Sequence, residues 1–203
     1  MSSLRHTPSS RGSDPRLDAY LDAARDCILD VGWRRTTLTE VAKRAGVSRM
    51  TIYRAWPDMG SLLGDLMTRE WVGIAAATSS AADDTATPQG IAEAALSTVR
   101  ALRDNELFVR IVELDPDLML PYLLDRSGRS QEALIEILAA EIGSGQSAGT
   151  IHGGDPMVMA RALMLTGQGF VFSALTMTDD EVSLELLDGQ FLHLVSSSLA
   201  PRS

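Results

Sequence analysis

Cysteine is almost missing: Cys27 is the single thiol in 203 residues. One thiol excludes an internal disulfide framework and fits a reducing compartment. Cys27 falls inside a helical pattern, where a small buried filler is the usual role of a free cysteine. Long apolar runs are missing too. No stretch approaches 18 consecutive apolar residues, so no membrane span is expected. The N-terminus has no apolar segment of the kind that begins a secretory signal. A cytoplasmic location is therefore expected.

Catalytic signatures are equally scarce. There is no P-loop and no Gly-x-Ser-x-Gly elbow, and Gly167-Gln168-Gly169 is a fragment of a dinucleotide fingerprint that follows no strand pattern. His6, His152 and His193 lie far apart and share no metal-ligand spacing with Cys27. Glu113, Asp115 and Asp117 cluster, but nothing nearby supplies a catalytic partner, and they read as a helix end. No catalytic residue, metal or cofactor is assigned. Strand series and internal repeats are missing as well, so the chain is expected to be all-α.

What is present is an uneven charge. The net charge is −9. Residues 1–72 carry 11 Lys and Arg against 9 Asp and Glu, whereas residues 73–203 carry 7 against 18. The first part can approach phosphate and the second would be repelled by it. The basic residues gather further between Val31 and Trp56, where Arg34, Arg35, Lys43, Arg44, Arg49 and Arg54 face one acid, Glu40.

That same stretch holds two short helix signals around one glycine. Thr37 and Glu40 form a Thr-x-x-Glu capping box. Leu38, Val41, Ala42 and Ala45 then share one helical face. Gly46 suits a tight turn with positive φ. Ser48 caps a second helix through Ile52 and Tyr53. Two helices joined by a short glycine turn make a helix-turn-helix, whose second helix enters the major groove of DNA. The expected DNA-contacting set is Thr37, Thr39, Ser48, Arg49, Met50, Thr51, Tyr53 and Arg54.

The run Gly32, Thr36-Thr37, Val41-Ala42, Ala45-Gly46-Val47-Ser48, Thr51-Ile52-Tyr53, Trp56-Pro57 and Leu62-Leu63 resembles the TetR family of bacterial regulators. The motif covers about a quarter of the chain; the remainder agrees in length and helical character. Three positions depart from the family pattern. Met50 stands where Gly or Pro is frequent, Ala55 where an aromatic or histidine is common, and Met59-Gly60 where Lys-Glu is usual. That lysine normally meets a phosphate, and Met59 offers no charge for that contact. The resemblance implies an N-terminal three-helix head, a linking helix, and a C-terminal helical bundle for ligand binding and dimerisation. It also implies a homodimer on a palindromic operator, released by a small molecule.

The expected domains are an arm at 1–15, a DNA-binding domain at 16–72 and an effector and dimerisation domain at 73–203. Helix signals cover Arg16–Val31, the motif, and a fourth helix from Pro57-Asp58 with Leu62, Leu63, Leu66, Met67, Trp71 and Ile74 on one face. A linker is expected at Ser79–Pro88. Helices follow at Gln89–Arg103, from an Asn105 cap to Leu114, around Leu118–Leu123, and at Gln131–Ile142. Gly143–Gly154 reads as a Gly/Ser loop. Asp155-Pro156 opens another helix, and a last one ends near Leu199.

From Ala162 to Met177 no residue is charged and apolar side chains occur all round. A helix apolar on every face must be buried on every face; sixteen residues are too few to span a bilayer. A second copy is the simplest cover. The final helix repeats Leu184, Leu187, Phe191, Leu194 and Val195 at helical spacing, so two helices from each subunit are expected to form a four-helix interface. Its expected residues are Leu163, Gly167, Phe170, Leu184, Leu187, Phe191, Leu194 and Val195. Resemblance alone implies a pocket for an apolar effector, with Leu96, Val99, Phe108, Val112, Met119, Tyr122, Met164, Gln168 and Phe172 as its expected lining. Two other readings stand beside the ligand-responsive repressor: a DNA-binding regulator without an effector, and a helical enzyme with an incidental helix-turn-helix.

Overall fold

Helix-capping side chains divide this chain before any tertiary packing does. Asp14 accepts a hydrogen bond from the Arg16 amide, Pro15 occupies the first turn, and helix α1 runs Pro15–Val31 until Gly32, at φ 84°, stops it. A single 3₁₀ turn, Trp33–Arg35, leads to the Thr37 cap and α2, Leu38–Arg44. Gly46 turns the chain at φ 68° and Ser48 caps α3, Arg49–Ala55. These elements belong to one compact unit, residues 1–62, and the remainder forms a second, 63–203. The computed structural model describes residues 14–81, 86–124 and 127–201, without the side chains of Ala81 and Tyr122. The arm expected at 1–15 lies almost wholly outside the described residues.

In the first unit, Leu21, Ala24, Cys27 and Ile28 of α1, Leu38, Val41 and Ala42 of α2, and Ile52 and Trp56 are buried. Tyr20 meets Trp56 edge to face, ring centroids 6.5 Å apart. The free Cys27 is buried, in keeping with a packing role. Asp58 accepts from the Ser61 amide at 2.7 Å and opens α4, Met59–Ala81, which passes through the boundary between the units.

Among its described residues, the regular elements of the second unit are all helical. It contains the rest of α4, then α5 (Pro88–Arg103), α6 (Glu106–Leu114), a 3₁₀ turn at Pro116–Leu118, α7 (Leu120–Leu124), α8 (Arg129–Ala148), α9 (Pro156–Ser173) with a 3₁₀ extension Ala174–Met177, and α10 (Leu184–Leu199). Thr87, Asn105, Asp155 and Ser183 cap α5, α6, α9 and α10 with their side-chain oxygens. Helix α5 packs on α10 and α9, and α8 packs on α9. Ile91, Leu96 and Val99 of α5, Ile142 of α8, Ile151, Ala160 of α9, and Phe191, Val195 and Leu199 of α10 make the core.

Three sequence expectations need correction. The loop expected at Gly143–Gly154 is helical as far as Ala148, and the turn begins at Gly149 in the left-handed region. Gly145, inside α8, serves packing. A Cβ on Gly145 would fall 2.7 Å from the Ala86 carbonyl oxygen and 2.4 Å from Ile151 Cδ1. The expected linker at Ser79–Pro88 is shortened at both ends, since α4 continues to Ala81 and α5 starts at Pro88. Residues 82–85 of that stretch lie outside the described residues. The uncharged stretch of sixteen residues is part of a longer element, since α9 and its 3₁₀ extension together cover Pro156–Met177, 22 residues, long and apolar enough to cross a membrane by length and composition only.

Candidate DNA-binding face and ligand cavity

The capping box of α2 forms as its residue types require. The Thr37 hydroxyl accepts the Glu40 amide at 3.2 Å, and Glu40 Oε2 accepts the Thr37 amide at 3.0 Å. At α3 the Ser48 hydroxyl accepts the Thr51 amide at 3.2 Å and lies 2.8 Å from the Thr51 hydroxyl. These bonds hold the turn between the helices, so the outer face of α3 is presented on a fixed frame. Helical periodicity then sorts its side chains. Ile52 and Trp56 point inward; Arg49, Met50, Tyr53 and Arg54 are exposed. Met50 is 64% and Tyr53 47% accessible, large values for apolar and aromatic side chains. Ser48 and Thr37 are exposed at the helix starts, and Thr39 and Thr51 are half-buried. The expected contact set thus gathers on α3 and the start of α2, with guanidinium, hydroxyl and phenol groups outward.

The basic stretch is less one-sided than its composition implied. Arg44 of α2 pairs with Asp30 of α1. Asp30 lies one residue outside the stretch whose charges stood out in the sequence, and only tertiary packing brings the two together. Asp58, at the start of α4, is held below the usual carboxylate range, first by the Ser61 amide and hydroxyl.

The second unit holds a partly open apolar cavity of about 130 Å³. Helix α4 contributes Trp71, Ala75 and Ser79; α5 contributes Thr98 and Val99; α8 contributes Leu134, Leu138 and Glu141; α9 contributes Met164, Gln168 and Phe172. Trp71, Phe108 and Phe172 form a chain of ring contacts at 6.2 and 5.3 Å along its wall. Of the residues expected to line a pocket, Val99, Phe108, Met119, Met164, Gln168 and Phe172 do so. Leu96 packs into the core instead, Val112 is half-buried on α6 away from the lining, and the Tyr122 side chain lies outside the described residues. Sequence reasoning missed Trp71 and the α8 wall. Gln131, Leu134, Leu138 and Glu141 recur at helical spacing on α8, and that signal was available.

Glu141 is the cavity's ionisable group among the described residues. Burial pushes its carboxyl above the usual range, and a hydrogen bond from Ser79 pulls it part of the way back. Trp71 Nε1 is a buried donor without a hydrogen-bond partner in the described structure.

The expected interface residues divide differently from their sequence pattern. Phe191 and Val195 are each 1% accessible within their own chain, and Phe170 meets Phe191 edge to face, ring centroids 4.8 Å apart. Leu163 and Gly167 line the cavity. Leu184 and Leu187 are half-buried, and Leu194 is the exposed member of the set. Phe191 and Val195 are therefore core residues. Helical spacing on α10 gathers Leu184, Leu187, Phe191, Leu194 and Val195, and only packing within the chain tells which of them face inward. The uncovered stripe holds Val158, Ala162, Leu165 and Gly169 on α9, then Leu175 and Met177, with Leu186 and Leu194 on α10. Leu165 is 70% and Leu194 53% accessible.

Comparison with known proteins agrees with both units. Residues 21–66 match the family described as bacterial regulatory proteins, tetR family. An uncharacterized HTH-type transcriptional regulator of Mycobacterium bovis is 34% identical over 154 residues, 76% of this chain and 79% of its own. Among solved structures, the transcriptional repressor QsdR of R. erythropolis, of the TetR family, superposes with a TM-score of 0.71 at 19% identity, covering 94% of this chain and 98% of its own. The transcriptional regulator FadR of Bacillus subtilis, in complex with stearoyl-CoA, gives 0.60 at 20% identity, covering 90% and 98%.

Proposed function

The chain belongs to the TetR family of bacterial transcriptional regulators, and from that premise we propose that it is a homodimeric repressor released from a palindromic operator by a small molecule. Its relatives are regulators of transcription, and no enzymatic role is assigned to it. The observation that carries the reading is the outer face of α3, where Arg49, Tyr53 and Arg54 stand exposed on a capped, packed frame. Arg49 reads a base edge and Tyr53 contacts a phosphate through its hydroxyl, with Thr37, Thr39, Ser48, Met50, Thr51 and Arg54 completing the contact surface.

DNA-binding lies within residues 16–72 and effector binding and dimerisation within 73–203, in the cytoplasm, except that Trp71 of the first range also lines the effector cavity. The uncovered stripe on α9 and α10 pairs with its copy, making a four-helix interface. Two recognition helices must then meet successive major grooves, about 34–36 Å or a multiple apart. Helix α4 supplies the control. It begins beside the motif and carries Trp71, Ala75 and Ser79 into the cavity wall. A ligand that displaces these side chains shifts α4 and changes the spacing of the two heads. The stearoyl-CoA bound by the FadR neighbour is a precedent for ligand occupancy in this fold, and the identity of that ligand does not transfer at 20% identity.

A second reading, a regulator of the same head without a small-molecule effector, is favoured by one observation. The cavity is about 130 Å³, against the roughly 300–1,000 Å³ of ordinary ligand pockets. Anisotropy titration of the DNA upstream of its own gene, repeated with candidate ligands, separates the two. Specific binding that a ligand abolishes supports the first reading. Specific binding that no cavity-occupying compound alters supports the second, and no specific binding overturns both.

A further inference from the structure

The charge and size of the cavity restrict what can enter it. Its lining is apolar except for Ser79, Thr98, Gln131, Glu141 and Gln168, and among the described residues no Lys, Arg or His contributes to it. Thr98 is already engaged, donating to the Ala94 carbonyl at 2.8 Å and sharing a 2.6 Å contact with the Thr78 hydroxyl. Gln131 Oε1 accepts the Gly128 amide at 2.6 Å. Glu141 and Gln131 stand ten residues apart on α8, so the lined stretch of that helix is about 15 Å long at 1.5 Å per residue. The polar groups thus sit towards its two ends with Leu134, Ile137 and Leu138 between them.

Building on the ligand-responsive reading, we infer that the cavity takes a compact, roughly one-ring apolar molecule carrying a hydrogen-bond donor or an amine, which meets Glu141, and that it discriminates against carboxylates. An apolar cavity of about 150 Å³ is known to hold benzene, close to the volume found here. A ligand carboxylate would place a second negative charge in a poorly solvated site with no cation among the described lining to compensate it, the costliest arrangement for a buried ion. An ammonium in the same place pairs with Glu141 and offsets the desolvation that raises its carboxyl.

Three probes of matched shape test this on the full chain without DNA: benzylamine, benzyl alcohol and benzoate, by calorimetric titration and by thermal shift at millimolar ligand. Benzylamine is expected to bind at least tenfold more tightly than benzoate, with benzyl alcohol between them. Glu141→Gln, checked first for an unchanged far-UV spectrum and cooperative melting, is expected to erase the advantage of benzylamine over benzyl alcohol. If Glu141→Gln fails to fold, Ser79→Ala on the same wall, which leaves the carboxylate in place, must retain the preference for the amine. Benzoate binding as tightly as benzylamine overturns the charge selection while leaving the cavity a ligand site. Binding by none of the three overturns the inference, while the effector reading on which it rests is decided separately by the operator titration with candidate ligands.

Discussion

At the scale of single residues, Arg49 and Tyr53 make separable demands. Arg49→Ala removes an exposed side chain, so the fold should persist while specific affinity falls by about 1–3 kcal/mol and sequence preference relaxes. Tyr53→Phe keeps the ring and removes the hydroxyl, so affinity should fall about equally for operator and unrelated DNA. Competition titrations with both DNAs check the two variants together; an Arg49→Ala protein with unchanged sequence preference removes that residue from the reading set. Glu141 makes a pH prediction. Its folded-state carboxyl lies above its unfolded value, so its contribution to stability is present below the unfolded value near 4.5 and is lost as pH rises through the folded one. Glu141→Gln should therefore melt higher than the parent at neutral pH, and the gap should close on acidification. A variant that melts lower at neutral pH would mean that the Ser79 hydrogen bond outweighs the burial.

At the scale of elements, α5 and α10 are tied by charge as well as by apolar packing. Asp188 is buried on α10 and accepts from Arg100 Nε at 2.7 Å and from Arg103 Nη2 at 2.8 Å. The Arg103 side chain is itself buried, so Asp188→Ala leaves a buried cation short of its partner. That loss costs about 3–5 kcal/mol, more than an exposed pair would. Chemical denaturation should show it as a lower midpoint with an unchanged slope. Gly145 is a second test. Alanine favours a helix interior by about 1 kcal/mol over glycine, but here its Cβ meets backbone at 2.7 Å. Overpacking of this kind costs about 1–3 kcal/mol, so Gly145→Ala should destabilise.

These elements also show what sequence could and could not disclose. Thr37, Glu40, Gly46 and Ser48 specify the helix-turn-helix through local bonds, and local bonds are legible in sequence. The inward turn of Phe191 and the helical role of Gly145 depend on neighbours distant in sequence, Phe170 and Ala86. Glu141 was visible as one acid among many; only the packing of α4, α8 and α9 gives it an apolar cavity to face.

At the scale of the whole molecule, the uncovered stripe on α9 and α10 decides between a single chain and a pair. Leu165→Glu with Leu194→Glu places charges on exposed positions, so each chain should still fold. If the stripe pairs with its copy, sedimentation should report monomers and operator affinity should collapse, although α3 is untouched. Phe191→Glu, by contrast, buries a carboxylate in the core of one chain and should unfold it. A double variant that stays dimeric moves the interface elsewhere.

The central claim is that a dimer grips DNA through the basic, α3-bearing unit while the acidic remainder stays clear of phosphate. Operator affinity measured across a salt series, with the stoichiometry fixed at saturation, tests it most directly. Each phosphate contact contributes a log–log slope of about −0.9 on duplex DNA. The account predicts two chains per operator and an affinity that falls steeply and linearly on that plot. A flat salt response, or one chain per operator at full affinity, would contradict it.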